Sequence, residues 1–326
     1  MVEPLLTALA GLDKGLIDAA TTVEDPGCIM VGEIERCNAK KQAYGAVDLA
    51  RALQVSSDVY FYKLAMNAFY RGDEPGKALI IQRWARRLGL DRPTGIDLPG
   101  DVYRGGTIPD PNWRNEINAF ERTCRAKKKI PLDALPAVAA DGGCGRSDLR
   151  DYNLGDTVNL AIGQGDVQAS PLQMAIAYAA IANGGKIVQP HLGLAIETPS
   201  AELVQRIEHE PARKVRIDRG NLDVVRTGLR LAASEAGGTS FDVFAGWNHA
   251  AFPVYGKTGT AQRQPKDDQS WYVAYVPDPK RPIVVAVTVE EGGFGAAVAA
   301  PIACRMLAQY YKQDATACAA GAATSR

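Results

Sequence analysis

The chain has 326 residues, of which 46% are hydrophobic, 7% aromatic and 23% charged, and its 37 basic and 37 acidic side chains give a net charge of zero. This composition is typical of a soluble globular protein and excludes a collagen-like, coiled-coil or disordered chain. Zero net charge argues against nucleic acid or an anionic membrane surface as the main partner, since both favour a basic protein. At about 100–200 residues per domain, the length predicts two domains or one large one.

The first helix is predicted at the start of the chain. Leu5, Leu9, Leu12 and Leu16 recur at helical spacing and would share one face. No capping residue precedes them. Glu3 stands where a signal peptide has a basic residue, and no apolar segment of sufficient length comes after it, so we predict no signal peptide.

Loops and helices alternate over the next part of the chain. The interval 91–152 is rich in proline and glycine, and we predict long irregular connections there, with the basic cluster at 122–129 as a solvated surface. The remaining predicted segments are a loop over 20–45 and helices over 47–53, 58–69 and 77–88.

A buried helix is predicted over the apolar stretch from Ala169 to Ala182. Ser170 and Gln173 form a capping-box pattern with proline at the first helical position, and the Asn-Gly-Gly run at 183–185 gives a stop signal. The stretch has 14 residues, fewer than the roughly 20 that a bilayer requires. We therefore predict no membrane span in this sequence.

The last third of the chain predicts a sheet. The third of its strand candidates is a continuous apolar run, as expected of a strand covered on both faces. Helices followed by an antiparallel sheet predict one α+β domain over residues 1–312, with a flexible tail at 313–326. The predicted elements are a helix over 221–235, strands over 254–262, 270–276 and 282–290, and a helix over 301–311.

The six cysteines and three histidines do not form a metal-binding pattern. No two cysteines form a C-x-x-C pair, and no histidine lies near a cysteine pair at zinc-ligand spacing, so we predict no metal site. Cys28 and Cys37 flank a short glycine-containing segment. Two alternatives stay open for them: a local disulfide in an oxidising compartment, or two unpaired buried thiols.

The first motif whose side chains could take part in binding or catalysis is Lys257-Thr258-Gly259-Thr260, on the first strand candidate. Gly259 allows another group to approach the strand closely, and the threonine hydroxyls can donate to a carboxylate or an oxyanion. Lys257 adds a positive charge. Such a strand edge suits a peptide that ends in a carboxylate and binds by strand addition.

The second motif is Ser56-Ser57-Asp58, between two predicted helices, where a hydroxyl and a carboxyl can project into a cleft. Alone, this motif is typical of a helix N-cap, and Lys-Thr-Gly is typical of a strand with a surface lysine. Together they match the S-D-N and K-T-G elements that accompany an S-x-x-K nucleophile in penicillin-binding proteins and class A β-lactamases.

The surroundings of both motifs resemble the transpeptidase domain of class B penicillin-binding proteins, in particular the elongation type, penicillin-binding protein 2. Five blocks in the family's order, from residue 4 to about 311, carry this resemblance: ARALQVSSDVYFYKLA, RLGLDRPTGIDLPGD, NLAIGQGDVQASPLQMAIAYAAIANGG, VYGKTGTAQ and SWYVAYVPDP. The resemblance implies the α+β fold of serine β-lactamases and penicillin-binding-protein transpeptidases. Two further strands of that sheet would precede this chain, which would leave the run 283–289 as an open apolar edge and the chain poorly soluble.

The resemblance also implies a peptidoglycan D,D-transpeptidase that cross-links stem peptides through an acyl-enzyme. In that family the S-x-N serine relays a proton to or from the amine, the third residue orients the substrate, and the K-T-G strand holds the terminal carboxylate. No metal or organic cofactor is implied. The implied catalytic residues are Ser56, Asp58 and Lys257, and the implied substrate-binding residues are Thr258, Gly259 and Thr260.

The family's third element, a serine with lysine three residues later, does not occur here, because none of the nine serines has lysine at that position. Pro4 and residues 6–10 match the segment after the lysine in relatives, which puts Glu3 at the lysine position and the nucleophile before Met1. Two alternatives stay open: a fragment of a longer, active parent, or a non-catalytic descendant. In both cases we predict that this chain forms no acyl-enzyme.

The expected partners are implied by the same resemblance. They are peptidoglycan stem peptides, β-lactams and a membrane glycan polymerase of the elongation machinery, at the periplasmic face of the inner membrane in the bacterial cell envelope, with the membrane anchor outside this sequence. Two alternative functions remain: a non-catalytic binding or scaffold module, and a β-lactamase or β-lactam sensor. The sequence offers no deacylating glutamate motif for the last of these.

Overall fold

A helix at the start of the chain lies in the centre of the fold. The computed structural model describes residues 4–71, 74, 76–98, 105–133, 143–208, 210–263 and 265–319; Glu3 and His209 lie outside them. Helix α1 (Pro4–Asp13) is buried from Pro4 to Leu12 and contacts at least five other helices. A helix that is apolar on every side belongs in a core. It ends before Leu16 because Gly15 adopts a left-handed backbone (φ 60°).

Residues 20–45, which the sequence predicts as a loop, contain four short strands. The prediction was wrong because strands of three or four residues are too short for a visible two-residue periodicity. The hairpin β2–β3 turns at Gly32, whose positive φ of 61° suits a two-residue hairpin turn. The strands are β1 (Val23–Asp25), β2 (Cys28–Val31), β3 (Ile34–Cys37) and β4 (Gly45–Val47), and β1 pairs antiparallel with β4 as β2 does with β3. A 3₁₀ turn, Ala39–Lys41, lies between β3 and β4.

Three helices come next, close to their predicted positions. Helix α2 (Leu49–Val55) begins two residues later than predicted, because Val47 belongs to β4 and the Asp48 side chain caps the helix by accepting from the Arg51 amide. Helices α3 (Asp58–Phe69) and α4 (Ile80–Arg87) complete this group.

The interval 91–152 contains a long helix that the sequence did not predict. Helix α5 (Pro111–Lys128) begins with Asp110 as its N-cap and proline at its first turn, and it ends in a basic last turn. The start signal was present, but the proline and glycine around it favoured an irregular interpretation. A disulfide joins Cys124 to Cys144. Residues 99–104 and 134–142 of this interval lie outside the described residues.

The buried helix predicted from Ala169 is confirmed as α7 (Pro171–Ala182). Ser170 and Gln173 form the complete capping box, and Gly184 and Gly185 adopt the positive φ of a helix stop. The elements around it are α6 (Leu154–Ala161), β5 (Lys186–Ile187), β6 (Ala195–Glu197), β7 (Leu203–Arg206), β8 (Arg213–Lys214) and α8 (Arg219–Ser234). Strand β5 pairs with β8, and β6 with β7.

The three predicted strands are confirmed as one antiparallel sheet in the order β11-β10-β9, with α9 (Ala299–Tyr311) after them. The two faces of β10 pack against different helices because side chains alternate along a strand. Trp271, Val273 and Tyr275 join the core that contains α1 and α7, and Tyr272 joins the core that contains α9. The strands are β9 (Tyr255–Arg263), β10 (Lys266–Val276) and β11 (Ile283–Val289). Among the described residues, β9 and β11 each pair only with β10, and the side of β9 turned away from β10 is its free edge.

The end of the described chain is attached to the last helix. A disulfide joins Cys304 of α9 to Cys318, just after a 3₁₀ turn at Ala315–Ala317. The amide of Ala319 donates to the Val243 carbonyl oxygen at 3.1 Å. The described part of the predicted tail is thus held to the domain, and the boundary at residue 312 stays a prediction. Within the described residues, no helix combines the length and apolar character that crossing a bilayer requires.

Candidate active site

The turn between α2 and α3 holds the Ser-Ser-Asp motif. Ser56 ends α2 with a left-handed backbone (φ 60°, ψ 52°), which residues other than glycine adopt mainly at strained or functional positions. Ser57 begins α3 as its N-cap, and its Oγ accepts a hydrogen bond from the Tyr60 amide at 3.1 Å. Ser56 faces β9 and contacts Lys257 there, whereas Ser57 is buried in the protein.

Lys257 approaches the same turn from β9, and its side chain is fully buried. Its Nζ donates to Ser56 Oγ at 2.8 Å and to the carbonyl oxygen of Thr258 at 3.0 Å. A buried ammonium needs such partners because removing an unpaired charge from water costs several kcal/mol. The structure therefore brings two of the predicted catalytic residues, from motifs 201 residues apart, into direct contact.

The other residues of the predicted strand motif, Thr258 to Thr260, contact neighbouring parts of the protein. A side chain at Gly295, in the connection between β11 and α9, would collide with the Gly259 carbonyl oxygen, so the two backbones touch. The Gly295 amide also donates to Thr260 Oγ1 at 3.2 Å. The close approach that the sequence predicts at Gly259 is thus made here by a neighbouring loop. Thr258 is nearly buried and lies opposite Tyr272 in β10.

A buried network that the sequence did not reveal supports the Ser-Ser-Asp turn from behind. Asp25 Oδ2 accepts from Ser57 Oγ at 2.5 Å, and both of its oxygens accept from Asn38 Nδ2 at 2.9 Å. Asn38 Oδ1 in turn accepts from the Val59 amide at 3.0 Å, at the start of α3. Asp25 also accepts from the Gly27 amide at 2.8 Å. Two residues from a separate part of the chain therefore fix where Ser56 and Asp58 stand.

The comparison with known families agrees with this geometry. A family model described as the penicillin binding protein transpeptidase domain matches residues 5–308. The chain belongs to that family. It is 28% identical to the peptidoglycan D,D-transpeptidase MrdA of Haemophilus influenzae over 96% of this chain and 44% of that protein. The chain thus spans less than half the length of this relative.

Solved structures of penicillin-binding proteins give the same result for the fold. The crystal structure of Pseudomonas aeruginosa PBP2 in complex with WCK 5153 matches with a TM-score of 0.70 at 28% identity, over 95% of this chain and 59% of that one. A peptidoglycan synthase complex, described for its structural coordination of polymerization and crosslinking, matches with a TM-score of 0.72 at 27% identity, over 96% of this chain and 46% of that one. These matches confirm a PBP2-type transpeptidase domain with the α+β fold.

Asp58 is an ionisable group of this candidate site whose pKa its surroundings shift. Burial raises the pKa of Asp58 from 3.8 to about 6, the nearby Lys257 charge opposes that rise, and Asp25 adds to it. The side chain is half-buried. Its carboxyl therefore changes charge near neutral pH, next to the Ser56–Lys257 pair.

The raised pKa of Asp58 predicts that the free energy of unfolding depends on pH. Between about pH 4 and pH 6 the folded chain keeps a proton on Asp58 that the unfolded chain releases, so stability falls as pH rises through that window. Asp58→Asn removes the effect and is expected to stabilise the protein by about 1–2 kcal/mol at pH 7.5, after allowance for partial exposure, and by much less at pH 4.5. Thermal melts of both proteins at the two pH values measure this difference.

Asp18, which is exposed, is a control for this prediction, because its pKa is lowered and that of Asp58 is raised. A hydrogen bond from the Thr21 hydroxyl lowers the pKa of Asp18 from its usual 3.8, so Asp18→Asn is expected to destabilise by nearly the same amount at pH 7.5 and at pH 4.5, because the stability that this shift supplies is lost only at lower pH. A stability difference between Asp58→Asn and the wild type that does not change with pH would contradict the raised pKa of Asp58.

One side-chain cluster outside the motifs has metal-ligand spacing. The ligand atoms of Cys28, Glu35 and Cys37 lie within 4.8 Å of one another. However, Cys28 and Cys37 face each other across the β2–β3 hairpin and form a disulfide. Their sulfur atoms are bonded to each other and cannot act as thiolate ligands. The bond closes the hairpin between Asp25 and Asn38.

Proposed function

We propose that this chain is the part of a peptidoglycan D,D-transpeptidase that binds the D-Ala-D-Ala end of stem peptides. The contact between Lys257 Nζ and Ser56 Oγ at 2.8 Å, beside the free edge of β9, is the observation that carries this proposal. An ammonium next to such a strand edge suits a peptide that ends in a carboxylate. Family membership supports the same function.

The roles of the residues are assigned from their positions. The terminal carboxylate of the peptide binds Lys257 and the Thr258 hydroxyl, and the peptide backbone runs antiparallel along β9. Ser56 exchanges protons with Lys257 and relays one to or from the amine that leaves or enters. Asp58 orients the substrate. Covalent catalysis needs an activated serine, and this sequence has no Ser-x-x-Lys, so the chain by itself binds the peptide without forming an acyl-enzyme.

A peptide titration tests the binding step. We expect N-acetyl-L-Lys-D-Ala-D-Ala to bind saturably in an NMR titration of the ¹⁵N-labelled chain, with the largest amide shifts on β9 and around Ser56. The stereoisomer N-acetyl-L-Lys-L-Ala-L-Ala is the matched control, and it should bind at least tenfold more weakly because its methyl groups point away from the same strand register. Equal binding of the two peptides would contradict the proposal.

Labelled penicillin separates this proposal from an active enzyme. We expect no fluorescent penicillin to remain on this chain in a denaturing gel, because reversible binding is lost on denaturation. Label that survives denaturation and maps to a serine would show that a nucleophile is present and would overturn the predicted absence of an acyl-enzyme. A non-catalytic scaffold, the second candidate function, would show neither label nor stereospecific peptide binding.

We further propose a location at the periplasmic face of the inner membrane. Disulfides persist in oxidising compartments, and the described residues contain three, one each in the β2–β3 hairpin, between α5 and the loop after it, and between α9 and the chain end. The similarity to a peptidoglycan synthase complex supports a membrane glycan polymerase as partner of the whole protein. β-Lactams are expected to bind in the same groove as the peptide.

A further inference from the structure

The turn after α6 contacts the free edge of β9 through the side chain of Gln164. Its Oε1 accepts from the Gln262 amide at 3.2 Å, and its Nε2 donates to the Thr260 carbonyl oxygen at 3.4 Å. Backbone groups of alternate strand residues point to the same edge, so both contacts lie on the side of β9 turned away from β10. This is the edge along which the stem peptide is proposed to bind.

The turn itself is rich in glycine. Gly163 and Gly165, on either side of Gln164, have φ values of 71° and 70°, which favour glycine. The Gln164 amide donates to the Asn159 carbonyl oxygen at 2.8 Å, but Asn159 belongs to α6, so this bond does not join the turn to a second element. Glycine loses more conformational freedom on ordering than any other residue, so a contact from outside is needed to hold the turn in one position.

An ion pair with helix α5 supplies that contact. Arg114 of α5 is buried, with 4% of its surface exposed, and its Nη2 donates to Asp166 Oδ2 at 2.8 Å, two residues after Gln164. The same nitrogen donates to Asp156 Oδ1 at 3.0 Å, in the first turn of α6. One buried guanidinium thus holds both the start of α6 and the turn after its end.

The position of this guanidinium is itself fixed by Asp156. The Asp156 carboxylate accepts two hydrogen bonds from Arg150, at 2.6 Å each, and one from the Asn153 amide at 2.9 Å. Bidentate bonds between a guanidinium and a carboxylate are among the strongest and most directional in proteins. Arg114 is therefore a fixed point, and Asp166 is the carboxylate that joins the turn to it.

The contact between Gln164 and β9 leaves room for a ligand on the same edge. A carbonyl oxygen has two lone pairs, so the Thr260 oxygen can accept from Gln164 and from a bound peptide together. A strand edge that is already held in position loses less freedom when a peptide binds, and this raises affinity. Ordering of the turn thus affects peptide binding although Arg114 and Asp166 do not touch the peptide.

We propose that Arg114 and Asp166 are positioning residues for the peptide-binding edge of β9. Their ion pair orders the turn that places Gln164 on the strand, and Gln164 holds the strand from its free side. This inference rests on the proposed function. It makes α5, which contains none of the sequence motifs of the site, part of the support of that site.

Asp166→Ala and Asp148→Ala are a matched pair of variants that test this proposal. Asp148 also pairs with Arg114, at 3.7 Å, and its side chain is 48% exposed against 45% for Asp166, but it lies outside the turn. Both variants leave Asp156 as a partner of the buried guanidinium. Asp166→Ala should weaken the binding of N-acetyl-L-Lys-D-Ala-D-Ala about fivefold, the scale of a partly exposed ion pair, and should shift the Gln262 amide resonance. Asp148→Ala should change neither.

A double-mutant cycle separates positioning from a general loss of stability. Gln164→Ala should weaken peptide binding by a similar factor, and Asp166→Ala should add no further loss in the Gln164→Ala background. Additive losses, equal losses in Asp148→Ala and Asp166→Ala, or unchanged binding in Asp166→Ala would overturn this inference while leaving the proposed function intact. Absence of stereospecific peptide binding to the wild type would overturn the proposed function and this inference with it.

Discussion

Lys257→Met is expected to weaken the binding of N-acetyl-L-Lys-D-Ala-D-Ala by about 10- to 100-fold, the value of a hydrogen bond to a charged group. The Lys257 ammonium is fully buried beside Ser56 and is the positive charge next to the free edge of β9. Methionine has nearly the same volume, so the variant tests the charge and not the packing. The dissociation constant from an NMR titration measures the effect.

A lysine on the neighbouring strand provides the control for this variant. Lys266 lies at the start of β10, is exposed and forms an ion pair with Glu291 at 3.5 Å. Lys266→Met removes the same charge from the same sheet and should leave peptide binding unchanged. If Lys257→Met binds the peptide as well as the wild type does, the carboxylate is held elsewhere and the proposed function is wrong.

Asp25→Ala is expected to cost about 3 kcal/mol or more of the free energy of unfolding. The substitution removes the acceptor of two buried donors, the Gly27 amide and Ser57 Oγ, and leaves Asn38 Nδ2 with one acceptor, the Gln42 carbonyl oxygen; each unsatisfied donor costs about 1–3 kcal/mol. Denaturant unfolding monitored by circular dichroism measures the loss. Peptide binding should fall as well, because the Ser-Ser-Asp turn loses its support.

The matched control for Asp25→Ala is Asp18→Ala. Asp18 also accepts local hydrogen bonds, from the Thr21 hydroxyl and the Ala20 amide, but it is exposed to water. Water can replace it as a partner, so its removal should change stability little. Similar losses for the two variants would contradict the view that the Asp25 network is a buried support for the site.

The parts of the fold that the sequence predicted well carry strong local signals. The helix after Ser170 has a capping box and a glycine stop, and the last strand, β11, is a continuous apolar run. Helix α5 was missed although Asp110 and Pro111 mark its start, because the prolines and glycines around it dominated the interpretation. The short strands between residues 23 and 47 have no periodic signal at all.

In the candidate site, as in the fold, the sequence predicted some residues and missed others. The two motifs identified Ser56, Asp58 and Lys257, and the structure brings Ser56 and Lys257 together. Asp25 and Asn38 could not be predicted from one sequence, because their importance depends on contacts with residues far along the chain. Gln164 belongs to a block that resembles the family, but only the geometry of the turn reveals that its side chain meets β9.

A crystal structure of this chain in complex with N-acetyl-L-Lys-D-Ala-D-Ala tests the central claim most directly. We expect the terminal carboxylate within hydrogen-bonding distance of Lys257 Nζ and the Thr258 hydroxyl, the peptide antiparallel to β9, and no covalent bond to the protein. Peptide density away from the β9 edge, or continuous with a serine side chain, would contradict the claim.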